Sequence, residues 1–262
     1  MGEHYSKKEL GKDMYQFFIE DENAAEDFVT IEGSDVNHIK NVLRMRPGEK
    51  IRVCTRNGQN YFCSISDITE SFVRADILEK EAESTELPCR IYLFQGLPKN
   101  DKMEWIIQKT VELGVYEVIP VAMKNCVVKL DDKKAKSKVT RWQAIAESAA
   151  KQSKRSLIPE VKMPMSYKEA VAYAKKLDVK LVPYENEHGM AGTKAAMEQI
   201  KKGESIAVFI GPEGGFAPEE IALVQDEMQL ISLGKRILRT ETAGIAALAI
   251  LGYQLESSDM IE

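Results

Sequence analysis

Short stretches of alternating apolar and polar residues dominate the first third of the chain. Their length, their alternation and the turn residues between them are typical of β-strands. Asn57-Gly58 separates two of these stretches and is a strong hairpin signal. The pattern predicts a small β-rich domain, a compact barrel, with strands at 15–19, 28–31, 51–54, 61–65 and 72–78.

One segment of this region has helical spacing instead. Ser34 and Asp35 offer a cap for a short helix, which is expected to end before Pro47-Gly48. Its apolar positions recur at intervals of three and four and would share one face: Val36, Ile39, Val42 and Leu43.

Beyond residue 90 the pattern changes to continuous apolar runs that alternate with amphipathic stretches. Runs bounded by turn signals are typical of buried strands, and the stretches between them have helical spacing. Such alternation predicts an α/β fold with a mostly parallel sheet that is covered on both faces. The predicted strands are 90–95, 115–121, 180–185, 206–210 and 230–233.

The change of pattern predicts two domains. Residues 79–86 are charged and loosely patterned, which favours a boundary there. We therefore predict a β-barrel over 14–84 and an α/β domain over 85–262. The polar, lysine-rich residues 1–13 fit a disordered extension or a remnant of cloning.

The last predicted helix, 243–255, is apolar nearly all round. Such a helix is buried on every side, in the core or against another subunit. Its small residues permit close approach, so a homodimer is a hypothesis from the sequence.

Composition adds few constraints. The chain has 262 residues, of which 44% are hydrophobic and 29% charged, as in an ordinary globular protein. No apolar run reaches the ~20 residues of a membrane helix, so we expect no membrane partner and a cytoplasmic location. The cysteines form no C-x-x-C pair and the histidines lie apart from them, which favours free thiols and no metal site.

The charge distribution says more than the net charge of −5. Basic residues crowd two stretches, 40–56 and 124–155, as expected of a surface that contacts nucleic-acid phosphates. Two solvated faces would explain the same runs, and charge alone does not separate these alternatives.

Two glycine-containing loops follow predicted strands near the C-terminus. Residues 206–210 run into Gly211-Pro-Glu-Gly-Gly215, and 230–233 run into Gly234-Lys-Arg-Ile-Leu-Arg-Thr-Glu-Thr-Ala243. Two strand–loop–helix units in succession predict a crevice lined by backbone amides that holds a cofactor. Neither loop matches the phosphate-binding or dinucleotide-binding glycine patterns, so those nucleotide sites are disfavoured.

Together the two loops resemble the ribosomal RNA small subunit methyltransferase E family, within the knotted SPOUT methyltransferases. Residues 102–115, the stretch His38–Arg44 with Pro47-Gly48-Glu49, and 142–155 agree with the family in outline. The resemblance extends from Met14 to about Glu256. It implies a trefoil knot in the C-terminal domain, a PUA-like RNA-binding barrel before it, and a homodimer with the site at its interface.

The same resemblance implies S-adenosylmethionine as cofactor and methylation of N3 of one uridine in the 16S RNA of the small ribosomal subunit. Glycines allow the main chain to approach a cofactor, and leucine and isoleucine provide apolar walls for adenine. The residues implied to bind the cofactor are Tyr184, Glu185, Gly211, Pro212, Glu213, Gly214, Gly215, Leu233, Gly234, Ile237, Leu238 and Arg239.

The uridine imide is a poor nucleophile until N3 loses its proton. Arg239 or Arg236 can stabilise the charge that develops on the uracil oxygens, and Glu241 can orient that arginine or relay the proton. Alternatively, Arg239 and Glu241 form an ion pair that only fixes the loop.

Candidate RNA-binding residues are His38, Arg44, Arg46, Lys124, Gln152 and Arg155. His38 can equally be an ordinary helix residue. The chain also departs from the family: Lys124-Asn125-Cys126 stands where Glu-Arg-Ser is usual, and lysines flank Gln152 and Arg155. Two other functions remain open, a SPOUT methyltransferase acting at another RNA site such as a ribose 2′-hydroxyl, and a non-catalytic RNA-binding ribosome assembly factor.

Overall fold

The computed structural model describes residues 14–81, 84–184 and 189–259, so the predicted extension 1–13 lies outside the described residues. The chain divides into two units. One comprises Met1–Glu86 with Ala150–Ile158, and the other comprises Leu87–Ala149 with Pro159–Glu262.

The first unit contains a five-stranded sheet in the order β1-β3-β4-β5-β2. β1 is parallel to β3, and the other neighbours are antiparallel. Gly58 adopts the left-handed φ of +85° that the predicted β3–β4 hairpin requires. The strands are β1 Gln16–Ile19, β2 Phe28–Glu32, β3 Lys50–Thr55, β4 Asn60–Ile68 and β5 Phe72–Glu81.

This sheet curls around one hydrophobic core. Register shifts between β4 and β5, at Phe62/Cys63 and Ile65/Asp67, bend the ladder. Side chains from both edge strands and from the centre, among them Phe17, Ile31 and Val53, then share a single buried cluster. The predicted barrel is therefore a curled half-barrel.

The predicted helix is shorter than expected and changes its winding. It consists of α1, Ser34–Asn37, followed by a π-helical segment, His38–Val42. The wider π turn shifts the residues after Ile39, so Val42 is 61% exposed instead of facing the core. Arg44, with a φ of +56°, ends the segment before Pro47 is reached.

The second unit contains a parallel sheet in the order β12-β10-β11-β6-β7-β8, with β9 also beside β7. Every pairing in it is parallel, which confirms the α/β prediction. Its strands are β6 Arg90–Gly96, β7 Val115–Ala122, β8 Glu160–Val161, β9 Met165–Ser166, β10 Val179–Pro183, β11 Ser205–Ile210 and β12 Gln229–Ile231.

Helices connect these strands. Ser166 caps α4 with a reciprocal pair of hydrogen bonds with Glu169, and Gly114 ends α2 with a φ of +92°. The helices are α2 Lys102–Glu112, α3 Asp132–Gln152, α4 Tyr167–Ala174, α5 Ala191–Glu198, α6 Pro218–Ala222 and α7 Thr240–Asp259.

β11 lies at the centre of the sheet, between β10 and β6. Residues 206–210 are all buried, as the continuous apolar run predicts. The ring of Phe209 stacks on that of Phe94 with centroids 4.4 Å apart. The first glycine loop begins one residue after this packed strand ends at Ile210.

α7 starts at Thr240, three residues before the predicted start, and is not buried on every side within the chain. Ala247, Leu248 and Leu251 pack inward, whereas Ala249 is exposed and Tyr253 is 75% exposed. One face of this apolar helix therefore lies on the surface of the second unit.

Candidate functional site

The carboxyl ends of the parallel strands form one edge of the second unit, which is where ligands bind in open α/β sheets. Residues 97–101 follow β6, 123–126 follow β7, Tyr184 follows β10, 211–217 follow β11 and 232–239 follow β12. All the predicted cofactor-binding residues that the structure describes lie at this edge. Glu185 lies outside the described residues.

The first glycine loop is a tight turn. The N–H of Gly215 donates to the Pro212 carbonyl at 2.9 Å, and Gly215 has a φ of +67°. The loop is also pressed against the end of β6, because a Cβ on Gly96 would lie 2.7 Å from the Pro212 nitrogen. Glycine is needed there to let the two backbones approach.

The second loop is held by α5. The Thr193 hydroxyl donates to the Ser232 carbonyl at 2.9 Å and accepts from the Ser232 N–H at 2.9 Å. The Ser232 hydroxyl accepts from the N–H of Gly234, whose φ is +109°. The turn is thereby fixed at its start, and residues 235–239 extend from it.

A buried chain of hydrogen bonds joins the first loop to the start of α7, directly after the second loop. The Thr240 hydroxyl donates to the Gly211 carbonyl at 2.7 Å and accepts from the Gln95 amide at 2.9 Å. Gln95 is fully buried, and its Oε1 has no hydrogen-bond partner within the described part of the chain. The start of α7, the end of β6 and the first loop are thus tied at one point.

Lys102 connects the same two loops by charge. Its ammonium lies 3.1 Å from Glu213 Oε1 and 3.1 Å from Glu241 Oε2. Hydrogen bonding to Glu241 and then to Glu213 raises the pKa of Lys102. The lysine therefore stays protonated and neutralises two carboxylates that would otherwise repel each other.

Glu213 is held as an anion. Burial acts to raise the pKa of its carboxyl. Hydrogen bonds from its own N–H and from that of Lys99, together with the Lys102 ammonium, outweigh burial and lower the pKa. The sequence pattern assigned Glu213 to the cofactor site but gave no signal for its partner Lys102.

The partner of Glu241 bears on the proposed chemistry. The ion pair considered between Arg239 and Glu241 is not formed among the described residues, because Glu241 pairs with Lys102. Arg236 and Arg239 are instead exposed at the edge of the second loop. Their guanidinium groups are open to a substrate.

The predicted apolar wall is incomplete within one chain. Leu233 and Leu238 are half-buried beside the loop, but Ile237 is 89% exposed. Tyr184 is placed next to β12 by a hydrogen bond from its N–H to the Ile231 carbonyl at 3.0 Å. Tyr184, the two half-buried leucines and the backbone of the glycine loops therefore all lie at this edge of the sheet.

The segment after β7 closes the other side of the first loop. The Lys124 N–H donates to Glu220 at 2.8 Å, and the Lys124 ammonium pairs with Glu219. Asn125 donates to the carbonyls of Gly214 and Gly215. The predicted RNA-binding residue Lys124 thus already has an acidic partner.

In the first unit, the predicted RNA-binding residues separate into two kinds. His38, Arg44, Arg46 and Gln152 are exposed. Arg155 is only 3% exposed, and its guanidinium is bonded to Glu86. This burial argues against the predicted RNA contact of Arg155, which instead anchors the 150–158 segment within the first unit.

Other site types find no support in the part of the chain that the structure describes. No group of three or more histidine, cysteine, aspartate or glutamate side chains there is placed to hold a metal ion. No helix in the described ranges is long and apolar enough to cross a membrane.

Family models match most of the chain. A model described as an RNA methyltransferase domain matches residues 85–252, and one described as an RNA methyltransferase PUA domain matches residues 31–78. The second match confirms the PUA-like character of the curled sheet.

Individual proteins are similar over nearly the whole chain. Ribosomal RNA small subunit methyltransferase E of Bacillus subtilis is 39% identical over 231 residues, 87% of this chain and 90% of the relative. The protein of that name from Mesomycoplasma hyopneumoniae is 35% identical, over 88% of this chain and 96% of its own. The crystal structure of the Neisseria gonorrhoeae enzyme bound to S-adenosyl methionine has a TM-score of 0.78 and 33% identity, covering 92% of this chain and 97% of that one.

Proposed function

This chain belongs to the ribosomal RNA small subunit methyltransferase E family, and we propose that it methylates N3 of one uridine in 16S ribosomal RNA. The methyl donor is S-adenosylmethionine, and the RNA is that of the small ribosomal subunit. The observation that carries the proposal is that Thr240, directly after the second loop, is bonded to Gly211 of the first loop, so that both loops lie together at one edge of the sheet. We place the protein in the cytoplasm, where it would meet ribosomal RNA.

The residues at this edge fit the cofactor. Gly214 is exposed and nothing lies within 4 Å of a Cβ built on Gly234, so a cofactor can approach the main chain there, and Pro212 and Glu213 shape the first loop. Tyr184, Leu233 and Leu238 offer an apolar surface for an adenine ring. The buried Oε1 of Gln95, which has no hydrogen-bond partner among the described residues, lies beside the site. When bound, the cofactor supplies an electrophilic methyl group.

The exposed arginines suit the electrostatic part of the reaction. Removal of the N3 proton places negative charge on the two uracil carbonyl oxygens. Arg239 is assigned to stabilise this charge, with Arg236 as its neighbour on the same loop. Glu241 is assigned a positioning role, because its carboxylate is already engaged by Lys102.

The RNA substrate has to present an unpaired base. N3 lies on the pairing edge of uracil, so the uridine must be single-stranded or flipped out of a helix. His38, Arg44 and Arg46 are assigned to hold the flanking RNA, since all are exposed and the two arginines have no ion-pair partner among the described residues. Gln152 is a further candidate contact.

The second unit is further proposed to be knotted, as in the SPOUT fold, and to form a homodimer through α7. The parallel strand order, in which β10 lies between β12 and β11, supports the assignment to that fold. Tyr253 and Ala249 are exposed on the outer face of this largely apolar helix, and an exposed apolar face is typical of an interface with another subunit.

The reaction is tested by incubating the protein with small ribosomal subunits and isotopically labelled S-adenosylmethionine. We expect the label in 3-methyluridine of the 16S RNA, identified by mass spectrometry of digested nucleosides. A label on a ribose hydroxyl, or no transfer to naked RNA or to subunits, would contradict the proposal.

Arg239→Ala is expected to lower kcat by about 10²–10³-fold, because it removes a group that stabilises charge in the transition state. The affinity for S-adenosylmethionine, measured by calorimetry, should change little. Lys235→Ala is the matched control, since Lys235 is an exposed cation of the same loop. Unchanged turnover of Arg239→Ala at saturating cofactor would exclude the catalytic assignment.

Arg44→Glu and Arg46→Glu are expected to weaken RNA binding by about ten-fold or more each and to reduce its dependence on salt. Arg56→Glu should have a smaller effect, because Arg56 already pairs with Glu20 at 3.0 Å. Filter binding at several salt concentrations measures the affinity for RNA, and calorimetry measures the affinity for S-adenosylmethionine. Equal losses of both affinities would indicate misfolding and leave no case for an RNA contact.

Light scattering should give twice the mass of the chain at micromolar concentration. Tyr253→Asp should lower that mass, because it places a charge on the exposed face of α7. Leu78→Asp is the control, as Leu78 is an exposed apolar residue of the first unit. A monomeric mass for the unmodified chain would rule out the dimer.

A further inference from the structure

Asn125 contacts the first glycine loop in a way that the proposed function does not use. Its Nδ2 lies 3.0 Å from the Gly214 carbonyl oxygen and 3.2 Å from that of Gly215. Only the NH₂ end of the side-chain amide can face two carbonyl oxygens, since the other end would be repelled by both. The chemistry therefore fixes the orientation of the amide.

The backbone around Asn125 is itself fixed. The N–H of Cys126 donates to the Met123 carbonyl at 3.1 Å, and the Lys124 N–H donates to Glu220 Oε1 at 2.8 Å. The Cys126 side chain is buried. A short, well-anchored turn after β7 therefore presents the amide to the loop, although Asn125 itself is exposed.

The loop is shaped to receive this side chain. A Cβ built on Gly214 would lie 2.9 Å from the Cβ of Asn125, which is closer than side chains approach. Two consecutive peptide planes of the loop, those that carry the Gly214 and Gly215 carbonyls, are thus oriented by one amide. The N–H of the first of these planes completes the turn by donating to the Pro212 carbonyl.

We propose that Asn125 is a positioning residue for the cofactor loop: by binding the Gly214 and Gly215 carbonyls it holds residues 211–215 in the conformation that accepts S-adenosylmethionine. The proposal rests on the proposed function, because that assigns the cofactor to this loop. It also gives a role to the position at which this chain departs from the Glu-Arg-Ser pattern.

The test compares Asn125→Asp with Asn125→Ala by calorimetric titration of S-adenosylmethionine at pH 8 and near pH 5. At pH 8 the introduced carboxylate faces two carbonyl oxygens and repels the loop, so we expect affinity to fall by about ten-fold or more. The two carbonyls raise the pKa of the introduced carboxyl, so near pH 5 a larger fraction of it is protonated and donates to one of them, and the loss should become smaller.

Asn125→Ala should lose about two- to ten-fold at both pH values, since it lacks the donor but adds no charge. The neighbouring charged groups are common to all three proteins, so each variant is compared with the unmodified chain at the same pH; they are Lys124, Glu213, Glu219 and Glu220. In turnover assays, the KM for the cofactor should rise in Asn125→Asp while kcat changes less.

Three outcomes decide the matter. Unmodified affinity in Asn125→Asp at pH 8, or equal losses in both variants at both pH values, would overturn the positioning role. Failure of the unmodified chain to bind S-adenosylmethionine would overturn the proposed function and the inference with it. Unfolding temperatures within about 2–4 °C of the unmodified chain are expected for both variants, because Asn125 is exposed.

Discussion

The site depends on one hydroxyl group. Thr240 links the Gly211 carbonyl to the Gln95 amide, so the first glycine loop, the end of β6 and the first residue of α7 share one buried point. Buried hydrogen bonds of this kind are costly to break, because the polar groups left behind are shielded from water. The second loop, which directly precedes α7, therefore keeps its position relative to the first glycine loop.

Around this point, charge is balanced locally. Glu213 and Glu241 are brought together by the two loops, and Lys102 compensates both of them from the start of α2. On the opposite side of the first loop, Glu219 and Glu220 are matched by the side chain and the backbone N–H of Lys124. These four acids are therefore engaged by Lys102 and Lys124. The exposed guanidinium groups of the second loop are those of Arg236 and Arg239.

Local pattern predicts much of this architecture because strand burial and turn geometry are local properties. The apolar run 206–210 and the glycines after it indicate both the central strand and the cofactor loop. Contacts between distant segments leave no such pattern in the sequence. The ion pairs of Lys102, the hydrogen bonds of Asn125 and the burial of Arg155 were therefore visible only in the structure. The prediction that Val42 faces the core is wrong for a local reason. One π-helical turn shifts the helical period on which that prediction relied.

The four cysteines also have a practical consequence. All four are buried thiols outside any disulfide, and burial raises the pKa of Cys54 and Cys63 to about 12 and raises that of Cys126. Alkylating reagents attack the thiolate, which these positions disfavour. A cysteine introduced at the exposed Ile237 would therefore be the reactive thiol of the folded chain. A fluorescent probe attached there would report changes in the surroundings of the second loop, and the native cysteines could be left in place.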